Sequence, residues 1–174
     1  MKNKYEIRGD VTAIFVSSKK YGEHEFLIDT SLLKEVSEAA GSWSIKVLRG
    51  GAFKYIHGTP KGSDCKNMIL LHRLVTKAPS DKFVDHINHN TLDNRLENLR
   101  LVTPAENLQN RRGADRHNRT SGIRGVSLNK RTGRWRVRVK LNGVQHHIGF
   151  FSDIKEAERA AIEARRRLLP YSVS

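Results

Sequence analysis

Polar and apolar residues alternate between residues 10 and 28, where VTAIFVSS and EFLI flank a polar turn at 19–23 containing Gly22. A period of two predicts a hairpin. Asp29, Thr30 or Ser31 then stands ready to cap a short helix over 32–40. Leu32, Leu33, Val36 and Ala40 would face inward, and Gly41 would stop it. Two more strand-like pieces, 43–48 and 53–56, are joined through Gly50-Gly51. A Gly-, Pro-, Lys- and Ser-rich loop spans 58–66. Residues 68–75, MILLHRLV, form the most apolar run and are expected to be buried. A loop with Pro79 covers 77–82.

The pattern changes after residue 84. VDHINHNTLDNRLENLRLVTPAENLQNR is crowded with Asp, His and Asn. Thr103-Pro104-Ala105-Glu106 reads as a helix start, with Thr as N-cap, Pro at the first position and Glu at the third. That helix would carry Asn107 and Asn110 on one face. Residues 113–121, GADRHNRTS, hold no apolar side chain larger than Ala and read as a linker.

Beyond it, strands are expected at 125–128, 135–141 and 144–151, with turns at 129–133 and at Asn142-Gly143, a two-residue hairpin signal. Asp153 and Glu156 begin a capped helix whose apolar stripe is Ile154, Ala157, Ala161, Ala164 and Leu168. Alternation puts Trp135, Val137, Val139 and Leu141 on one strand face, against the helix. Arg136, Arg138 and Lys140 take the other. Three like charges along one strand repel unless an anion covers them. On the next strand Gln145 and His147 should share a face, with His146 and Ile148 on the opposite one.

Composition sharpens this picture. Apolar residues make up 37% of 174, which suits two modest cores better than one large one. The single cysteine, Cys65, excludes an internal disulfide and a multi-cysteine zinc site. The N-terminus MKNKYEIRGD has no apolar leader segment, and no apolar run reaches membrane-spanning length. A cytoplasmic protein is therefore expected. Net charge is +14, of which residues 113–174 hold +9. An excess of that size calls for a polyanionic partner.

The central block has what phosphodiester hydrolysis needs. A histidine, His86, can take a proton from water, while carboxylate and carboxamide oxygens suit a hard divalent cation. Asp85 and His86 are strand neighbours and should point to opposite faces, so they can serve one site only where the strand ends or bends, or where metal and water approach from different sides. His72, beside the apolar run, either packs or supports the site.

This block resembles the HNH nuclease motif in its Asp-His…Asn…Asn form, with Asp85-His86, Asn98 and Asn107 at the matching positions. The flanks LHRLV at 71–75, NLR at 98–100 and VTPAEN at 102–107 look like those of phage and intron-encoded HNH endonucleases. The resemblance implies that His86 is the general base and that Asp85 and Asn107 hold one Mg²⁺ or Mn²⁺. It makes Asn98 the scaffold of the His86 strand. Asn110, on the same helix face as Asn107, is a secondary candidate by position. Two positions depart from the family. Asn107 replaces the final His, which favours Mg²⁺ over zinc or nickel, and His89 stands where many relatives have Gly.

Residues 121–174 resemble the DNA-binding domain of plant apetala-type and ethylene-response factors. The resemblance rests on Arg124-Gly125-Val126, Gly133-Arg134-Trp135, Ile148-Gly149-Phe150-Phe151 and the Ala-rich helix. It implies a three-stranded sheet in the DNA major groove, with Arg124, Ser127, Asn129, Arg138, Lys140, Gln145 and His147 facing the groove beside Arg136. Arg165-Arg166-Arg167 would complement the helix dipole or touch phosphate.

The expected fold is α+β. A nuclease domain over 1–112 combines a β-rich lead (1–67) with a ββα-metal core (68–112). A linker at 113–120 leads to a three-stranded antiparallel sheet packed on one helix at 121–174. The expected activity is metal-dependent cleavage of double-stranded DNA by a phage or mobile-element enzyme in a bacterial cytoplasm. A monomer with no protein partner is favoured. Two rivals are a DNA-binding regulator with a decayed nuclease fold and an RNA-binding basic protein. The second lacks an aromatic platform for RNA stacking.

Overall fold

The computed structural model describes residues 1–47, 54–60, 62, 68–111, 113–115 and 117–173. The chain divides into two compact units, Met1–Thr103 and Pro104–Ser174. The sheets of both are antiparallel.

In the first unit β1 (Tyr5–Arg8), β2 (Val11–Ser18) and β3 (Gly22–Asp29) form a meander. The expected hairpin is its β2–β3 half. Ile14 pairs with Phe26 and Thr12 with Ile28, so one face of the ladder is buried. A 3-10 turn at Thr30–Leu32 leads into α1 (Leu33–Ala39), which buries Val36. The expected Asp29 cap is not formed. Its side chain caps nothing locally, and its Oδ2 accepts from the backbone N–H of Leu96 at 2.8 Å. The helix ends at Ala39 and turns directly extended, leaving Gly41 inside the next strand.

β4 (Ala40–Val47), β5 (Lys54–Pro60) and β6 (Ile69–Leu70) form a second sheet. Gly58 is required here: a Cβ would lie 2.6 Å from the Ala40 Cβ and 2.9 Å from the Trp43 ring. Trp43 donates its indole N–H to the Val36 carbonyl, joining sheet and helix in one core with Ile14, Phe26, Ile56 and Leu71. The expected turn at Gly50-Gly51, the strand ends at Leu48 and Phe53, and Cys65 lie outside the described residues.

The apolar run at 68–75 divides into three. Met68 is exposed, 69–70 form β6, and α2 (Leu71–Val75) buries Leu71, His72 and Val75. Arg73 then pins the loop that follows, donating to the carbonyls of Ala78, Pro79 and Lys82. That loop delivers the chain to β7 (Phe83–His86), which pairs with β8 (Leu99–Val102).

The second unit starts with α3 (Pro104–Gln109). β9 (Val126–Asn129), β10 (Arg134–Leu141) and β11 (Val144–Phe151) follow with β10 central, and α4 (Ile154–Leu168) packs across them. Asn142 and Gly143 have φ of 49° and 84°, the left-handed pair of a tight hairpin turn. Asp153 caps α4 by accepting from the N–H groups of Lys155 and Glu156 at 2.8 and 2.9 Å. Ala157, Ala161 and Ala164 let the helix sit close on Val126, Val137 and Val139. β9 begins one residue later than expected. Gly125 (φ 82°) stands before it, and a Cβ there would be 2.7 Å from the Arg138 carbonyl oxygen.

The expected linker is the main difference. Asn118 donates to the carbonyls of Ile123 and Val126, and the Ser121 hydroxyl donates to Val126. Arg124 donates to the carbonyls of Leu108, Gln109 and Arg111 at the end of α3. These bonds tie Asn118 and Ser121 to the start of the sheet and Arg124 to the end of α3, and the second compact unit begins at Pro104, ahead of the expected linker at 113–120. A polar composition reads as a linker, but the side chains of Asn118 and Ser121 bond to backbone carbonyls while Asp115, His117, Arg119 and Thr120 stay exposed. Among the described residues no helix is long and apolar enough to cross a membrane.

Candidate functional site

β7 is four residues long and stops at His86, where the chain turns and the His89 N–H donates back to the His86 carbonyl. Asp85 lies opposite Arg100, and His86 opposite Leu99. Adjacent positions give the two side chains opposite faces, and both are buried. Arg100 donates from Nη2 at 2.7 Å and from Nε at 2.9 Å to the same oxygen, Oδ2 of Asp85.

The His86 ring is 5% exposed and enclosed on several sides. Its Nε2 lies 3.4 Å from Oδ1 of Asn94. The His72 ring meets it edge-on, with centroids 5.4 Å apart and planes at 72°. Tyr55 from β5 stands 6.2 Å from His86 and 5.3 Å from His72. Burial lowers the His86 pKa below the ordinary histidine value, opposed by Asn94, Asp85 and Asp93. The same cause, with the charges of His86 and Arg73, pushes His72 down to about 4. Tyr55 is raised by burial and then by Asp85. Both imidazoles are therefore neutral at pH 7, the form in which a histidine accepts a proton.

The loop between β7 and β8 is held by Asn98, itself buried. Its backbone carbonyl accepts from Ile87 and its side-chain oxygen from the Asn88 N–H, while its NH₂ donates to the Asp93 carbonyl. Asp93 is gripped by Arg95 through both carboxylate oxygens. Burial pushes the Asp93 carboxyl up, but the Arg95 guanidinium outweighs it and holds it below the usual range. Leu92 and Asn94 bond through backbone to Leu27, tying the loop to β3. His89 has φ 63°, a left-handed conformation that favours glycine.

Asn107 is half-buried on α3 in the second unit. Asn110 lies one residue beyond the end of that helix, not on it, and its side-chain oxygen accepts from the Val173 N–H. Among the described residues no three His, Cys, Asp or Glu gather in a metal-binding group. The donor types assigned from sequence, one carboxylate and one carboxamide, fit Mg²⁺, which keeps several waters and takes few protein ligands.

Register decides the face of the C-terminal sheet. Arg134 pairs with Asn129, Arg136 with Ser127 and Phe150, Arg138 with His147, and Lys140 with Gln145. Cross-strand partners share a face, so Ser127, Asn129, Arg136, Arg138, Lys140, Gln145 and His147 stand together. A bulge in β11 makes Ile148 an extra residue between His147 and Gly149. It brings the Phe150 ring to 4.8 Å from His147 on that same face. Arg138 donates to the Gln145 side-chain oxygen at 2.7 Å, and the buried Nε of Arg136 has no hydrogen-bond partner among the described residues.

Arg124 departs from the expectation. Its guanidinium is taken up by the carbonyls of Leu108 and Gln109 in the last turn of α3 and of Arg111 just after it, and burial, then Arg165 and Arg111, pushes it down to about 10. Arg165 is likewise buried and donates to the Arg124 carbonyl.

Sequence reasoning missed Asn94, Asp93, Arg100 and Tyr55. Asn94 and Asp93 were hidden among other polar loop residues. Arg100 becomes visible only once β7 and β8 are placed in register, because residue 85 then faces residue 100.

Residues 70–109 match a family described as HNH endonuclease. An uncharacterised HNH endonuclease of Acanthamoeba polyphaga mimivirus is 36% identical over 110 residues, covering 60% of this chain and 53% of that protein. Protein 3.8 of Escherichia phage T7 is 39% identical over 69 residues, 40% of this chain and 55% of its own length. YosQ of Bacillus subtilis strain 168, a prophage protein named as a candidate HNH homing endonuclease, is 49% identical over 43 residues, covering 22% and 25%. The chain spans about half the length of the first two. No solved structure matches it. These likenesses support a nuclease.

Proposed function

We propose that this protein is a metal-dependent endonuclease of double-stranded DNA, of the phage or mobile-element kind. The observation that carries the reading is His86: a buried, neutral imidazole beside Asp85, inside the segment that matches HNH endonucleases. His86 accepts the proton of a water whose oxygen attacks phosphorus. The bond to the 3′ oxygen breaks, leaving a 5′-phosphate and a 3′-hydroxyl whose proton comes from solvent. Asp85 and Asn107 are the assigned ligands of one Mg²⁺ or Mn²⁺. When bound, such an ion stabilises charge on the phosphate and on the leaving oxygen. β7, β8 and α3 follow one another along the chain in the order of a ββα-metal element.

The second unit acts as an apetala-type DNA-binding domain. Its cationic face meets the major groove, with phosphate contacts giving affinity and base contacts giving preference. One base per chain suits nicking by a monomer. The test is supercoiled plasmid with and without Mg²⁺. Wild type converts it to nicked or linear DNA only with the metal, and His86→Ala is at least about 100-fold slower. Equal cleavage by His86→Ala would remove the assignment. Binding without any cleavage by wild type would favour a DNA-binding regulator.

A further inference from the structure

We propose that Asn94 is the positioning residue of the His86 ring, fixing its proton on Nε2 so that Nδ1 is the atom that accepts the proton from water. The inference rests on the reading of His86 as the base and adds a residue and a tautomer to it.

Asn94 is 1% exposed, the most deeply buried polar side chain of the loop. Its backbone N–H donates to the Leu27 carbonyl at 2.8 Å, which fixes the residue against β3. Its side-chain Nδ2 donates to the Thr91 carbonyl at 3.5 Å, and its Oδ1 points at Nε2 of His86, 3.4 Å away. Reversing the carboxamide would set its oxygen against the Thr91 carbonyl, two acceptors in contact. The oxygen therefore belongs on the His86 side. A carboxamide oxygen only accepts, so Nε2 must donate and carries the proton. A neutral imidazole with hydrogen on Nε2 keeps its lone pair on Nδ1. His72, edge-on at 5.4 Å, and Tyr55 at 6.2 Å crowd the ring and oppose the flip that would exchange its nitrogens. An asparagine at this place gives orientation without adding a negative charge to a loop that already buries Asp93.

The experiment is ¹⁵N NMR of the His86 ring in the full-length protein above pH 7, with plasmid cleavage on the same samples. Wild type is expected to show the Nε2–H tautomer. Asn94→Ala should give a mixture of tautomers and a kcat roughly 10- to 100-fold lower at unchanged KM, the scale on which partners orienting a histidine act. Asn94→Asp, which keeps an acceptor towards Nε2 but sets a second oxygen against the Thr91 carbonyl and buries a charge beside Asp93, should retain the Nε2–H form while losing part of the rate. An Nδ1–H tautomer in wild type overturns the proposal, whatever the variants do. An Asn94→Ala protein with wild-type tautomer and rate overturns it too. If wild type shows the Nε2–H form, lost in Asn94→Ala, but cuts no DNA, the nuclease reading fails while the role of Asn94 stands.

Discussion

Arg100 places two donors on a single oxygen of Asp85, Nη2 at 2.7 Å and Nε at 2.9 Å from Oδ2. The two residues face each other across the short β7–β8 ladder, so the contact is set by register and not by sequence proximity. The pair is mostly buried, and removing the guanidinium costs Asp85 two charge-assisted hydrogen bonds at a site shielded from water. Arg100→Ala should therefore lower stability by about 1–3 kcal/mol. Asp85→Asn, which keeps the shape, should lose less stability but abolish cleavage. Urea unfolding at pH 7 and a plasmid assay separate the two. An Arg100→Ala protein as stable as wild type would mean that the pair contributes nothing net.

His72 makes stability depend on pH in a stated direction. Its folded pKa of about 4 lies below the ordinary 6.5, so the unfolded chain binds the proton more readily. Its neutral form is fully present above pH 6.5, and stability falls as pH drops from 6.5 towards 4. The difference corresponds to about 3 kcal/mol at most. His86, lowered for the same reason, adds to the loss with the same sign. His72→Phe keeps a ring against His86 and Tyr55 but cannot titrate. Its unfolding free energy should change less between pH 7 and pH 4.5 than that of wild type. Equal slopes would assign the acid sensitivity elsewhere.

The cationic sheet and Arg124 should respond differently to mutation. Arg138 is fixed by Gln145 and faces His147, so under the proposed DNA-binding role it is the candidate for reading bases. Lys140 is exposed, and a point charge on a long stem suits phosphate better than a base edge. Arg138→Ala should change which sequences are preferred. Lys140→Ala should weaken binding on all of them and reduce the salt slope by about 1. Arg124→Ala should leave the salt slope alone and lower the melting temperature, because three carbonyls lose their donor. Salt titrations on a panel of duplexes, with thermal melts, read all three. A lowered salt slope in Arg124→Ala would return it to the proposed DNA-binding face.

The elements legible in the sequence were those with a local signal. The β2–β3 hairpin follows from alternation, the β10–β11 turn from Asn142-Gly143, and α4 from Asp153 and its Ala stripe. The resemblance gave Asn98 a structural role in the loop, and Asn98 makes three hydrogen bonds there through its side chain and its carbonyl. The linker at 113–120 misled because polar side chains read alike whether they bind water or carbonyls. Arg124 misled for a related reason, since charge does not tell whether a guanidinium faces DNA or the end of a helix.

By itself the sequence determined the alternation of faces, the turns, the caps, the charge excess of the C-terminal region and the chemical inventory around His86. Those are local quantities, set by side-chain type and spacing along one strand or helix. Tertiary structure alone decided that Arg100 holds Asp85, that Asn94 reaches Nε2 of His86, that His72 and Tyr55 wall the ring, and that Arg124 turns inward. Each depends on strands in register or on a loop tied to a distant strand. Spacing along the chain cannot encode such contacts, because the same residues would meet other partners after a one-residue slip.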